Sequence, residues 1–389
     1  MKQLEIATTL LEAAKETKQH LVTAASNMDF EEYQDIFNSL CKIYFSLGLP
    51  DTLLPYMDAV QKIQVITDEY KIVYIKALNH IITETILYRG QYCIIRRTDP
   101  VPGLASHIMT NLGQIVAALN EGYIPVIDMQ FADNLFSTLN KNHMVNAWEL
   151  FFKQPFEGHT LASASKAEVC ILKDGIPGFM PYYNMEQLTN PAFMQLWKDA
   201  MRRYMPFSDT VQTTAKAICQ EFPFEEKKIL GVLCRGTDYM TLRPHNHPVQ
   251  PSTDVVIKKA KDIMQEFQCD YCYLATEDES ILSAFRNAFG DHLLVSQSIY
   301  FKKEQKMLLS KTMTEEPVQL YEKNIEYLIS LYLLSRCHCF LSGRTSGAVV
   351  ALMLNETPYA YTHFWNEGKY GVDDLQTLQN LTIASIIDF

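Results

Sequence analysis

Residues 229–239 read Ile229-Leu-Gly-Val-Leu-Cys-Arg-Gly-Thr-Asp-Tyr239. An apolar run, the signature of a strand, passes without a spacer into Arg235-Gly236-Thr237-Asp238. In doubly wound sheets ligands sit at the carboxyl ends of strands. Arg235 presents a forked set of donors that fits a diphosphate bidentately, and it stays charged at any working pH. Gly236 lets backbone come close to a ligand. Asp238 can orient Arg235 or accept from a sugar hydroxyl. A surface ion pair in a tight turn is the alternative, and the strand-end position favours the ligand.

Strands and helices alternate on the C-terminal side of this stretch, the pattern of a parallel sheet. The strands are expected at Ile229–Cys234, Tyr271–Ala275, His292–Val295, His338–Leu341 and Tyr359–Thr362. The helices are expected at 252–267, 280–289, 318–336 and 346–354. An earlier alternating unit starts near residue 90, with strands at Tyr92–Ile95 and Tyr123–Asp128 and a helix at 105–120 between them. Further helices are expected at Lys141–Phe152 and Met185–Tyr204, and a linker near 205–225. Residues 1–88 read as helices, which pack or make partner and oligomer contacts. The class is α/β: a helical region (1–88) and two Rossmann-like domains, 89–222 and 223–389, the second carrying Arg235. A cleft between two such sheets is the natural ligand site.

A second ligand loop follows the fourth of these C-terminal strands, in Phe340-Leu-Ser-Gly343-Arg344-Thr345-Ser346-Gly347. The free N–H groups and positive end of the helix that follows favour a phosphate. Thr345 and Ser346 add hydroxyls and Arg344 adds charge, with simple N-capping as the alternative. The loop Thr241–Pro251 holds Arg243, His245 and His247, and a histidine beside a phosphate site can accept a proton near neutral pH. Thr237, Tyr239, Arg243, Thr276 and Asp278 complete the expected donor side. Glu277 joins Arg235, Asp238 and His247 as a catalytic candidate. On the acceptor side, Gly103, Ser106 and His107 precede or open a helix. Asn146 and Trp148 combine a polar group with an aromatic ring suited to stacking on a sugar. Arg96-Arg-Thr-Asp99 repeats the Arg235 chemistry but stands before the first helix, and reads as coincidence.

Of 389 residues, 48% are apolar, as in a packed globular protein, and the net charge of -11 argues against sequence-independent nucleic-acid binding. No apolar stretch reaches the roughly 18 residues of a spanning helix, and no secretory leader is evident, so a cytoplasmic protein is expected. A local basic patch would still allow peripheral membrane association. The nine cysteines suit reduced thiols. Cys269 and Cys272, with Cys337 and Cys339, lie in or beside runs read as buried strands, which favours small hydrophobes over zinc ligands. There is no Asp-x-Asp to hold Mg²⁺ and phosphates, no GxGxxG and no GxxxxGK[ST], which disfavours metal-held phosphates, dehydrogenases and P-loop enzymes. No cofactor is expected.

Leu233-Cys-Arg235-Gly-Thr-Asp238, Ala275-Thr-Glu-Asp278 and the block Leu328–Gly347 resemble, in this order, the motifs of the fucosyltransferase superfamily with the GT-B fold. That group includes core alpha-1,6-, nodulation and protein O-fucosyltransferases, and the chain also looks similar to bacterial polysaccharide-locus transferases. The resemblance implies two facing Rossmann-like domains, a GDP-sugar donor held by Arg235 and Ser346, and metal-independent inversion onto a glycan acceptor. The family's histidine near guanine falls at Leu233, its second arginine at Gly236, an aspartate near the base at Ser330, and its proposed base near Arg243. The rival reading is an inactive transferase-like module that binds a nucleotide or glycan.

Overall fold

The computed structural model describes residues 90–99, 102–236, 242–296, 300 and 317–372, together with Glu16 and His20. The N-terminal helices expected over 1–88 lie outside the described residues, apart from Glu16 and His20, both helical and exposed.

The first sheet is built from β1 (Tyr92–Arg96), α1 (Leu104–Asn120), β2 (Ile124–Ile127) and β3 (Cys170–Asp174), in the strand order β2-β1-β3. Ile124 N donates to Gln91 O and Asp128 N to Ile95 O. Tyr92 N donates to Val169 O and Gly175 N to Arg96 O. Residue numbers rise together along both pairs, so the strands run parallel. Between β2 and β3 lie two 3-10 turns, Ser137–Asn140 and Ala147–Leu150, and the short helix α2 (Leu161–Ala164). Next come α3 (Met185–Thr189), α4 (Pro191–Tyr204) and α5 (Asp209–Gln220).

The second sheet comprises β4 (Ile229–Leu233), β5 (Tyr271–Ala275), β6 (Leu293–Leu294), β7 (Cys339–Ser342) and β8 (Tyr361–Phe364). All pairs are parallel, in the order β6-β5-β4-β7-β8. Its helices are α6 (Thr253–Phe267), α7 (Glu279–Phe289), α8 (Pro317–Ser335) and α9 (Ser346–Leu354). The chain winds to one edge through β5 and β6, then crosses β4 to reach β7 and β8. Where the winding reverses, between β4 and β7, a doubly wound sheet opens a crevice at its carboxyl ends.

Alternation along the strands divides the core in two. Leu230, Val232 and Cys234, with Cys272, Leu274, Cys339 and Leu341, pack against Val256, Ala260 and Ile263 of α6 and Ile281, Leu282, Phe285 and Phe289 of α7. Helix α9 is buried from Gly347 to Met353 and is apolar on every side, as a helix enclosed by protein must be. Cys272, Cys337 and Cys339 are buried; burial pushes the Cys272 and Cys337 thiols up, so they serve as small hydrophobes.

The chain divides into two compact units: residues 90–94, 115–126 and 158–172 with the described N-terminal pair, and the remaining described residues from 95 onward. In the first, the Tyr92 hydroxyl and His159 Nδ1 hydrogen-bond at 2.8 Å. The second contains the whole five-stranded sheet. Among the described residues, no helix is long and apolar enough to cross a membrane.

Three sequence expectations fail for local reasons. Lys141–Phe152 is not a helix: Lys141, Asn142 and His143 have φ of 49°, 57° and 65°, and only Ala147–Leu150 makes a 3-10 turn. Met185–Tyr204 is two helices, because Asn190 leaves the helical region and Pro191 opens α4. The stretch 205–225 is no free linker, since Ser208 caps α5, which packs against α8.

Candidate functional site

Leu233 at the end of β4 is the register partner of both Ala275 on β5 and Ser342 on β7. Three loops therefore leave the sheet at one level: 234–236, 276–278 and 343–345. The Cys234 amide donates to Ala275 O at 3.1 Å, which carries the pairing one residue further.

In the first two loops, Glu277 organises the arginine. Its Oε1 stands 3.6 Å from Arg235 Nε and accepts from the Gly236 amide at 3.3 Å. Both side chains are largely covered, 25% exposed for Arg235 and 17% for Glu277. Thr237, Asp238 and Tyr239 lie outside the described residues. Asp278 is buried and caps α7, its Oδ1 accepting from Ser280 N at 2.8 Å and Ile281 N at 3.2 Å. Thr276 is buried, and its Oγ1 accepts from Asp278 N at 3.2 Å. Gly236 is required by this packing, because a Cβ there would collide with Asp278 and stand 2.6 Å from Ile281 Cδ1. Burial and the nearby Glu277 and Asp278 push the Cys234 thiol far up, so it is no nucleophile.

The third loop is closed from outside by Gln250. A Cβ at Gly343 would run into the Gln250 amide, whose Nε2 donates to Pro248 O at 3.1 Å and Arg344 O at 3.5 Å. The segment around Tyr370 braces the same loop. Tyr370 OH accepts from Gln250 N at 3.1 Å, and Tyr370 N donates to His247 O at 2.9 Å. Arg344 is 8% exposed and donates through Nη2 to Gly368 O at 2.8 Å, so part of its fork is already used. Thr345 caps α9, its Oγ1 accepting from Ala348 N at 3.1 Å. Ser346, partly exposed, opens the helix. A Cβ on Gly347 would lie 2.6 Å from Tyr327 OH and 3.2 Å from Leu233 Cδ2, so only glycine lets α9 approach this closely. Arg243 and His245 are exposed and His247 is half-buried. Ser330, the position resembling the family's base-reading aspartate, is fully buried in α8 and donates to Tyr327 O at 2.7 Å.

This sheet edge unites a cation, the N-terminal amides of α9 and the Ser346 hydroxyl on neighbouring strands, a combination that can hold an anion. Gln250, Tyr327 and Tyr370 escape sequence reasoning because they act by packing, and nothing in their local sequence marks them.

Of the acceptor-side residues, Gly103, Ser106 and His107 stand at the start of α1 and Asn146 bonds to the end of β2, and most are structural. Trp148 is fully buried, stacked on Phe152 at 4.6 Å, with Nε1 donating to Lys153 O at 3.2 Å. It cannot stack on a sugar. Asn146 is also buried: Oδ1 accepts from Met129 N at 3.0 Å and Trp148 N at 3.3 Å, while Nδ2 donates to Ile127 O at 2.7 Å. Gly103 O accepts from Ser106 N and His107 N in the first turn of α1. Ser106 Oγ accepts from Arg97 Nη1 at 2.8 Å. His107 is 1% exposed and edge-on to Phe136 at 5.5 Å, and burial together with the Arg97 charge pushes its pKa down to about 3. It cannot serve as an open base near neutral pH.

No protein-family model matches the chain, and no curated protein matches it. Among solved structures it is similar to fucosyltransferase NodZ from Bradyrhizobium, at 13% identity over 73% of this chain and 99% of that one, with a TM-score of 0.44. It is similar to NodZ alpha-1,6-fucosyltransferase soaked with GDP-fucose, at 15% identity over 68% and 92%, with a TM-score of 0.41. A mutant of Arabidopsis thaliana FUT1 in complex with GDP matches at 9% identity over 79% and 81%, with a TM-score of 0.43.

Proposed function

We propose that the chain is a glycosyltransferase that uses a GDP-sugar, GDP-fucose by the motif resemblance, and inverts the anomeric centre without a metal. The observation that supports this reading is the shared register of Leu233 and Ser342, which sets Arg235 and the N-terminus of α9 at the carboxyl ends of adjacent strands. An acceptor hydroxyl would attack the anomeric carbon as GDP leaves. Negative charge grows on the diphosphate in the transition state, where Arg235, the α9 amides and Ser346 would stabilise it most. Glu277 is a positioning residue in this scheme, because its carboxylate is taken up by Arg235 and the Gly236 amide. The base is then drawn from Asp238 and His247. The acceptor is a glycan of a surface polysaccharide, reached from the cytoplasm with or without peripheral membrane contact, and residues 1–88 serve oligomerisation or partner contact.

Thermal shift with GDP-, UDP- and dTDP-sugars, followed by assay of GDP release from GDP-fucose, tests the reading. Stabilisation by GDP-fucose with GDP release supports it. Saturable binding with no release over hours would leave only the inactive binding module.

A further inference from the structure

Arg97 follows β1 as Arg235 follows β4, at a strand's carboxyl end, yet the two guanidinium groups are treated differently. Arg97 is 7% exposed, and one nitrogen, Nη1, donates to Ser106 O at 3.1 Å, Ser106 Oγ at 2.8 Å and Thr110 Oγ1 at 3.1 Å. All three acceptors are neutral. Nε is buried and has no hydrogen-bond partner among the described residues, and Nη2 stands 3.9 Å from Asp99 Oδ2, beyond hydrogen-bond reach. The neighbouring Arg96, by contrast, pairs through Nε with buried Asp128 at 2.5 Å. A buried guanidinium is costly unless it is paired, and its Nε–Nη2 edge is one that meets a carboxylate or phosphate with two parallel N–H···O bonds.

The surroundings have the same deficit. Among the described residues, neither ring nitrogen of His107 has a partner, nor does Asn111 Nδ2 one turn along α1, and both residues are 2% exposed or less. Buried donors without partners carry a desolvation penalty. His107 is held neutral, its pKa pushed to about 3, so it adds a donor without adding a charge. The first turn of α1 contributes the positive end of a 17-residue helix.

We propose that the Nε–Nη2 edge of Arg97, over the first turns of α1, binds a two-oxygen anion, a carboxylate or a phosphate ester, carried by the acceptor. That the anion belongs to an acceptor rests on the transfer reading; the anion site itself does not. Asp99, whose Oδ2 stands 3.9 Å from Nη2, gives way when the anion binds.

The test is calorimetric titration of inorganic phosphate and, separately, of glucuronate into the full-length Arg235→Ala chain, which lacks the donor-side contact. The same titrations are run with Arg97→Gln or Arg97→Lys added. The expected result is at least tenfold weaker binding of one anion in both double variants, because lysine keeps the charge and loses the fork. The preferred anion separates an acidic sugar from a phosphate ester. Equal affinity with and without Arg97, or no binding of either anion to Arg235→Ala, overturns the proposal. Should Arg97→Gln not fold, Arg97→Lys decides. Turnover of GDP-fucose by the native chain is read in parallel. Its absence beside Arg97-dependent anion binding removes the transfer reading and leaves the anion site standing.

Discussion

Leu233 and Ser342 are cross-strand partners, so the chain leaves β4 and β7 at the same height and the loops beyond them stand side by side. Two glycines keep this edge compact. Gly236 accommodates Asp278, and Gly347 lets α9 approach Tyr327 and Leu233.

Gly347→Ala is therefore expected to destabilise the fold by about 1–3 kcal/mol through overpacking. Tyr327→Phe removes the oxygen that stands 2.6 Å from the new methyl, so the same substitution should cost less in that background. A double-mutant cycle by urea denaturation checks this, and simple additivity would show that the hydroxyl is not the obstacle.

Asp278 acts as a helix cap, and losing it should be felt in stability. Asp278→Ala removes the acceptor for the Ser280 and Ile281 amides and should cost about 0.5–2 kcal/mol, with Asp278→Asn costing less. Thermal melts of the two variants provide the comparison.

Trp148 tests the core assignment. Trp148→Ala should cost about 3–5 kcal/mol, as expected of a fully buried ring stacked on Phe152. Trp148→Phe should fold and leave the acceptor KM unchanged. A raised KM in Trp148→Phe would restore the sugar-stacking role.

His107 sets an acid limit. Its folded pKa of about 3 lies below the ordinary 6.5, so below pH 6.5 the unfolded chain binds a proton that the folded chain refuses. Its contribution is complete above that value and is lost as pH falls toward 3, by on the order of 3 kcal/mol at pH 4. His107→Asn should flatten this part of the urea stability profile between about pH 7 and pH 4. An unchanged slope would place the acid sensitivity elsewhere.

The second sheet was legible because β4 and β5 are continuous apolar runs and α7 and α9 start at Asp278 and Thr345, whose side chains cap them: α9 lies where 346–354 was expected, and β5 where 271–275 was. Strand β3 was missed because its apolar run, Val169–Leu172, is short, and Cys170–Asp174 alternates half-buried with exposed residues. The helix expected at 141–152 had suitable apolar spacing, but three successive left-handed residues give no such signal. At the site, Arg235, Glu277 and the 343–347 loop could be read from strand-end position, whereas Gln250 and Tyr370 act through contacts distant in sequence. Arg97 was passed over because it stands before a helix, although it follows an apolar strand just as Arg235 does.

The most direct measurement is calorimetric titration of GDP into the native chain and into Arg235→Ala. A diphosphate held between Arg235 and the α9 N-terminus predicts at least tenfold weaker GDP binding in the variant, with the melting midpoint nearly unchanged and turnover reduced by about 10²–10³. GDP affinity equal in the two proteins would contradict it.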